Sequence, residues 1–269
     1  IQTVTIYPAD IAKLEFVTAP QVLLAGEESS PISIETQDEY GNAAVVDATT
    51  TLNLITSSPA GHFSIMPAPG WSDVNSVPIS SGTYQVKFYY QDFRTGEHEL
   101  RCSGPVEYGW DDAVQNIVIK SSTVHHLAIV GIPESPVAGI ALDITIRAED
   151  VHDNISSDYL GTIQFSSNDS QASLPATYKF TVSDSGVHTF LSGVTFRTAD
   201  TTTLRVQDID GEPFGELTGI NVLPGDCVSF QVTGLPEAVP VGTPCDVEVK
   251  ALDNWQNVAT RYSGTITFT

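Results

Sequence analysis

Apolar and polar residues alternate one for one in short runs along most of the chain. Ile32/Ile34, Leu52/Leu54, Val86/Phe88, Leu142/Ile144/Ile146/Ala148, Ile163/Phe165, Val194/Phe196, Leu204/Val206, Val247/Val249/Ala251 and Ile266/Phe268 each place apolar side chains on one face. Thr, Ser, Gln, Asp or Arg occupy the other face. This period of two is that of a half-buried β-strand, and no comparable window carries the 3.6-residue stripe of an amphipathic helix. Gly, Pro, Asn and Asp break the runs every ~8 to 12 residues, the spacing of turns in an all-β domain. One stretch departs from the pattern. His62 to Pro78, with Pro67, Pro69, Gly70 and Trp71, has no clear alternation and predicts a long surface loop.

The alternation is organised at a longer scale. Three stretches share an apolar strand, a Pro/Gly bend, an alternating strand, and an Asp followed four residues later by an Asn. They begin at Lys13, His126 and Val228, and their anchors are Asp38/Asn42, Asp150/Asn154 and Asp253/Asn257. The anchors lie about 103 to 112 residues apart, a period of whole small domains rather than of solenoid coils. Past the anchor, Tyr159-Leu160-Gly161-Thr162-Ile163-Gln164-Phe165 answers Tyr262-Ser263-Gly264-Thr265-Ile266-Thr267-Phe268. Units of about 100 residues built from short, turn-punctuated strands predict an all-β chain of tandem immunoglobulin-like β-sandwich modules.

The expected division is residues 1–10 as the last strand of a preceding module, 11–121 as module 1, 122–225 as module 2, and 226–269 as the first part of module 3. Ile1-Gln2-Thr3-Val4-Thr5-Ile6 resembles the strand ahead of each later repeat, and Phe268-Thr269 falls in mid-module. The chain therefore reads as an excerpt of a longer array, or as a subunit whose end pieces are completed by neighbours. The linkers, 120–125 and 223–226, are short, which restricts hinge motion.

Charge narrows the partners. Lys and Arg total 11 against 33 Asp and Glu, a formal charge of −22. Nucleic acid and anionic bilayers repel such a surface. No run of 18 apolar residues is present to make a membrane-spanning helix. The carboxylates suit either plain solvation or calcium, which takes several oxygen ligands. Asp208-Ile209-Asp210-Gly211-Glu212 is the best-looking cation loop, with Asp208, Asp210 and Glu212 as the candidate calcium ligands. Asp-Gly is also the commonest hairpin turn signal, and the turn is the preferred reading. For the Asp/Asn anchors, a turn capped by side chain to main chain is preferred over calcium, because one carboxylate and one amide are too few ligands.

Of the three cysteines, Cys227 and Cys245 stand at the ends of the first two strands of the third repeat, where a disulfide and two free thiols are both open. Cys102 reads as a small buried hydrophobe. Asn154-Ile155-Ser156 and Asn168-Asp169-Ser170 are glycosylation sequons, with Asn168 the better candidate. The six histidines form no H-E-x-x-H, and no G-x-S-x-G elbow or phosphate-binding glycine loop is present. His125-His126 lie on opposite sides of a strand and are poorly placed to share a metal.

The phrases AGEESSPISIETQDEYGNAAVVDATTTLNL, DYLGTIQFSSNDSQASLPATYKFTVSDSGVHTF and VTFRTADTTTLRVQD resemble tandem bacterial-type immunoglobulin-like repeats of large secreted or surface-anchored prokaryotic proteins, including invasin-like stalks. The resemblance is fullest over 124–225. It implies a sandwich fold, an extracellular location, and a role as spacer, adhesin or filament wall, with no catalytic residues and no cofactor to carry over. The expectation is a non-enzymatic structural protein whose partners are neighbouring modules or subunits of the same protein. The alternative is an accessory region of a secreted adhesin or enzyme that binds glycans through Trp71, Tyr89, Tyr90 and Trp110.

Overall fold

The computed structural model describes residues 3–268. The chain divides into two compact units, one of residues 1–123 with 152–154, the other of residues 124–151 with 155–269.

The first unit holds nine strands: β1 (Ile11–Phe16), β2 (Val22–Leu24), β3 (Ile32–Asp38), β4 (Thr50–Thr56), β5 (Gly61–Ser64), β6 (Ser76–Ile79), β7 (Gln85–Asp92), β8 (Gly96–Ser103) and β9 (Ala113–Lys120). They form two sheets, ordered β1-β3-β7-β5 and β2-β9-β8-β4-β6. All pairs are antiparallel except β2 with β9. Ile32, Ile34, Leu52, Leu54, Phe88 and Ile117 face inward between the sheets. That is the outcome the alternation requires when one face of each strand is buried.

The second unit repeats the plan with seven strands: β10 (His126–Val130), β11 (Leu142–Glu149), β12 (Thr162–Ser167), β13 (Tyr178–Lys179), β14 (Val187–Val194), β15 (Thr201–Asp208) and β16 (Phe214–Asn221). The sheets are β10-β11-β14 and β13-β12-β15-β16. A parallel bridge from Val137 to Leu223 stands where β2 pairs with β9 in the first unit. Ile144, Ile146, Ile163, Leu204 and Val206 are fully buried, and Phe165 is half-buried against Phe190. In the same unit β17 (Ser229–Thr233) and β18 (Glu248–Leu252) form a two-stranded antiparallel sheet.

Three sequence expectations change. The stretch read as one loop over His62 to Pro78 contains β5 and β6, and only the residues between them are irregular. Phe63, Val77 and Ile79 enter the core, but four-residue strands are too short to show a period, and Pro78 disguised the second. Pro78 is tolerated because β6 is an edge strand, where a missing N–H leaves no ladder bond open. The strand expected over the first residues is not formed at residues 3–8, where Val4, Ile6 and Tyr7 are exposed; Ile1 and Gln2 lie outside the described residues. Ile266 and Phe268 likewise lie in irregular chain, since residues 263–268 pair with no strand.

Candidate functional site

The Asp/Asn anchors end the second long strand of each repeat, and their hydrogen bonding is the most elaborate polar feature that recurs. Asp38 is fully buried at the end of β3. Its Oδ1 accepts from the N–H groups of Tyr40 (3.0 Å) and Asn42 (2.8 Å), which closes the turn. Its Oδ2 accepts from the Asn42 amide (2.9 Å) and from the N–H of Ala9 (3.0 Å), where the chain enters the sandwich. Asp253, after β18, repeats the set atom for atom. Oδ1 takes Trp255 N–H (2.8 Å) and Asn257 N–H (2.9 Å), and Oδ2 takes the Asn257 amide (2.8 Å) and Gly225 N–H (2.9 Å). Asp150, at the middle anchor, is also fully buried.

A carboxylate with so many donors is held ionised. Burial pushes the Asp38 carboxyl up, but the Asn42 side chain and the N–H groups of Asn42, Ala9 and Tyr40 outweigh it and hold it at about 2. Asp253 is lowered for the same reasons, against its burial, by Asn257, Gly225 and Trp255. A depressed carboxylate stabilises the fold above its unfolded pKa and loses that contribution as pH falls through the folded value. Melting temperature is therefore expected to drop between pH ~4 and ~2. An Asp38→Asn, Asp253→Asn variant, measured by the same melts, should show a shallower decline over that window, and an unchanged slope would contradict this account.

The Asn has a second edge, and there the loops grip other strands. In the second unit, Asn257 Nδ2 donates to Arg197 O (2.8 Å) and its Oδ1 accepts from Ala199 N–H (2.8 Å). Both partners belong to the loop from β14 to β15. Trp255, two residues after the Asp, lies under the Arg197 guanidinium, 4.5 Å from ring centroid to Cζ, and against Gly139. Gly139 has φ +83°, and a Cβ there would collide with Trp255 Nε1. Its N–H bonds Phe196 O (2.8 Å).

Residues 152–154, which belong to the first unit, make the same contacts on the loop from β7 to β8. Asn154 Nδ2 donates to Phe93 O (2.9 Å), and its Oδ1 accepts from Thr95 N–H (3.1 Å). His152 takes the place of Trp255: it meets Phe93 edge-on at 4.9 Å, and a Cβ on Gly26 would come within 2.7 Å of its Nε2. Gly26 has φ +81°, and its N–H bonds Asp92 O (2.8 Å). Only glycine adopts this left-handed backbone without strain while leaving room for the ring above it. The sequence showed these anchors only as turns. The ring two residues after the Asp and the paired Ala25-Gly26 and Ala138-Gly139 were the available signal.

The other candidates fall elsewhere. Asp208 is buried, its Oδ2 accepts from Tyr159 OH (2.5 Å), and its Oδ1 from Asp210 N–H (3.0 Å). With Gly211 N–H on Asp208 O (2.9 Å), the loop is built as the turn of the β15–β16 hairpin, while Asp210 and Glu212 point to solvent. Millimolar calcium is therefore expected to raise the melting temperature no more than matched ionic strength does. A larger shift that Asp210→Ala abolishes would identify a calcium site, since binding to the native state adds stability by mass action.

Cys227 and Cys245 are free thiols in this structure, one of the two states the sequence left open. The register from Ser229↔Leu252 to Thr233↔Glu248 puts them past opposite ends of the β17–β18 ladder. That ladder alone spans roughly 14 Å at ~3.4 Å per residue, twice the Cα separation a disulfide allows. Cys102 is buried in the core, its thiol pushed up to about 12 by burial and by Asp112. Asn168 is exposed, with its Oδ1 bonded to Thr202 and Thr203, whereas Asn154 is 9% exposed with its amide engaged. His125 and His126 meet edge-on, with His126 3.2 Å from Glu149.

Two of the four aromatic residues of the glycan reading are taken up by the first core. Tyr90 is fully buried, bonded to Asp92 (2.5 Å) and Thr56 (2.9 Å), and Trp110 packs on the first core. Trp71 is tied to Asp73 through Nε1 (2.7 Å) in the loop after β5.

No protein-family model and no curated protein matches the chain. Among solved structures it is similar to FdeC, an adhesin of Escherichia coli, at 17% identity over 94% of this chain and 77% of that one, with a TM-score of 0.41. It is similar to InvD of Yersinia pseudotuberculosis at 13% identity, covering 91% and 71%, with a TM-score of 0.40. Invasin, a bacterial integrin-binding protein, follows at 12%, covering 91% and 46%, with 0.37.

Proposed function

We propose that the chain is a non-enzymatic structural stretch of an extracellular protein, in which successive immunoglobulin-like sandwiches make a stalk, filament or surface layer. The observation that carries this reading is the recurring anchor: buried Asp, ring at the second position, Asn at the fourth. At Asn154 and Asn257 it fastens onto a strand-joining loop some 60 residues back, inside the same compact unit each time. These buried carboxylates and their amides are thus engaged in holding the fold's own turns and loops, which supports a structural role. The surplus of carboxylates keeps such a surface solvated and self-repelling, which suits an exposed structural element.

The test is brief protease treatment of intact cells of the source organism, followed by detection with antibody against this chain. Loss of signal from the cell surface, or recovery of the chain in the medium, is the expected result. Recovery solely from the cytosol, untouched until lysis, would overturn the proposal.

A further inference from the structure

The first anchor has the same internal bonds as the third but, among the described residues, makes no hydrogen bond through its outer edge. Asn42 is exposed, its amide nitrogen is turned to Asp38, and its Oδ1 has no hydrogen-bond partner among the described residues. Tyr40, at the position of Trp255 and His152, is 76% exposed. The chain nevertheless enters this loop as it enters the third, since Ala9 N–H sits on Asp38 Oδ2 as Gly225 N–H sits on Asp253 Oδ2.

We propose that Tyr40 and Asn42 form a docking face for a further β-sandwich module of the same build, joined ahead of Asp10 in the same polypeptide. The two occupied anchors define what that module must present. One element is a glycine with φ near +80°, bare of a side chain, under the ring at position 40, as Gly26 and Gly139 lie under His152 and Trp255. The other is a strand-joining loop offering a C=O and, two residues on, an N–H to the edge of the Asn, as Phe93/Thr95 and Arg197/Ala199 do. A Tyr in this place also gives a polar tip to an otherwise apolar contact. The same chain carries an open seat: Gly242, with φ +84° and nothing within 4 Å of a Cβ built on it, follows β17 as Gly139 follows β10. The inference concerns how repeats join and does not depend on where the protein resides, so it stands or falls apart from the localisation test above.

The experiment uses the chain as it is and an extended form in which a copy of residues 124–225 replaces residues 1–9, so that Gly225 of the copy takes the place of Ala9. In amide NMR, with Asn42→Ala for assignment, the Asn42 side-chain hydrogens should be shifted and protected from exchange in the extended chain, as those of Asn257 are in both. Asn42→Ala should lower the melting temperature of the extended chain by several degrees more than that of the original, the difference removing the shared loss of the bonds to Asp38. Identical Asn42 behaviour in the two chains overturns the proposal. So does protection that survives a Gly139→Val change confined to the added copy, because the glycine seat would then be irrelevant. Concentration-dependent protection in the unextended chain would assign the face to a second copy and overturn the covalent arrangement.

Discussion

Phe88→Ala is expected to destabilise the first sandwich by about 3–5 kcal/mol, the range for removing a buried aromatic ring whose cavity the neighbours cannot fill. Phe88 is fully buried in β7 and meets Phe16 and Phe63 edge-on at 6.4 and 5.7 Å, so three rings lose a partner together. Denaturant unfolding should show an earlier midpoint for that sandwich. The second core shares no residue with the first, and the transition reporting on it should stay in place. Ile146→Ala is the matching change there, at about 2–5 kcal/mol. A Phe88→Ala protein with an unshifted midpoint would remove β7 from the core.

The second large effect is expected at Gly215, in β16. A Cβ on this residue would land on the carbonyl oxygen of Leu127 in β10, so the two sheets of the second sandwich approach there through bare main chain. A carbonyl of a paired strand cannot swing aside like the tip of a side chain. Gly215→Ala must push β16 away from β10 and loosen the contacts of Val206, at an expected cost of about 1–3 kcal/mol or more. Gly219 lies in the same strand with nothing within 4 Å, but its φ of +71° adds strain of its own, so the sharper control is Leu217→Ala, which deletes rather than adds atoms. Hydrogen exchange of the β10 amides should accelerate in Gly215→Ala before the midpoint of β11 and β14 moves. Unchanged exchange would show that the sheets do not touch at this point.

What could be read from the sequence follows a physical line. β11 and β15 were legible because each has one buried and one wetter face, and alternation records that difference directly. β5 and β6 were not, because four residues with a proline hold too little of a period. The turns at Asp38 and Asp253 were legible because Asp and Asn advertise local bonds to their own main chain. What Asn154 and Asn257 do with the other edge was hidden, since their partners are carbonyl and N–H groups some 60 residues distant, which every residue type supplies. The state of the thiols stayed open in the sequence for a related reason. Proximity in sequence pattern placed Cys227 and Cys245 on paired strands, but only the antiparallel register shows that they flank opposite ends of the ladder.

A clasp that reads carbonyls, amides and a missing side chain is blind to the vocabulary around it. Arg197-Thr198-Ala199 and Phe93-Arg94-Thr95 share no residue at equivalent positions, yet the same amide edge closes on both. The receiving loop can therefore change its side chains freely, provided its main chain keeps its path, the glycine stays bare and the Asp and Asn remain.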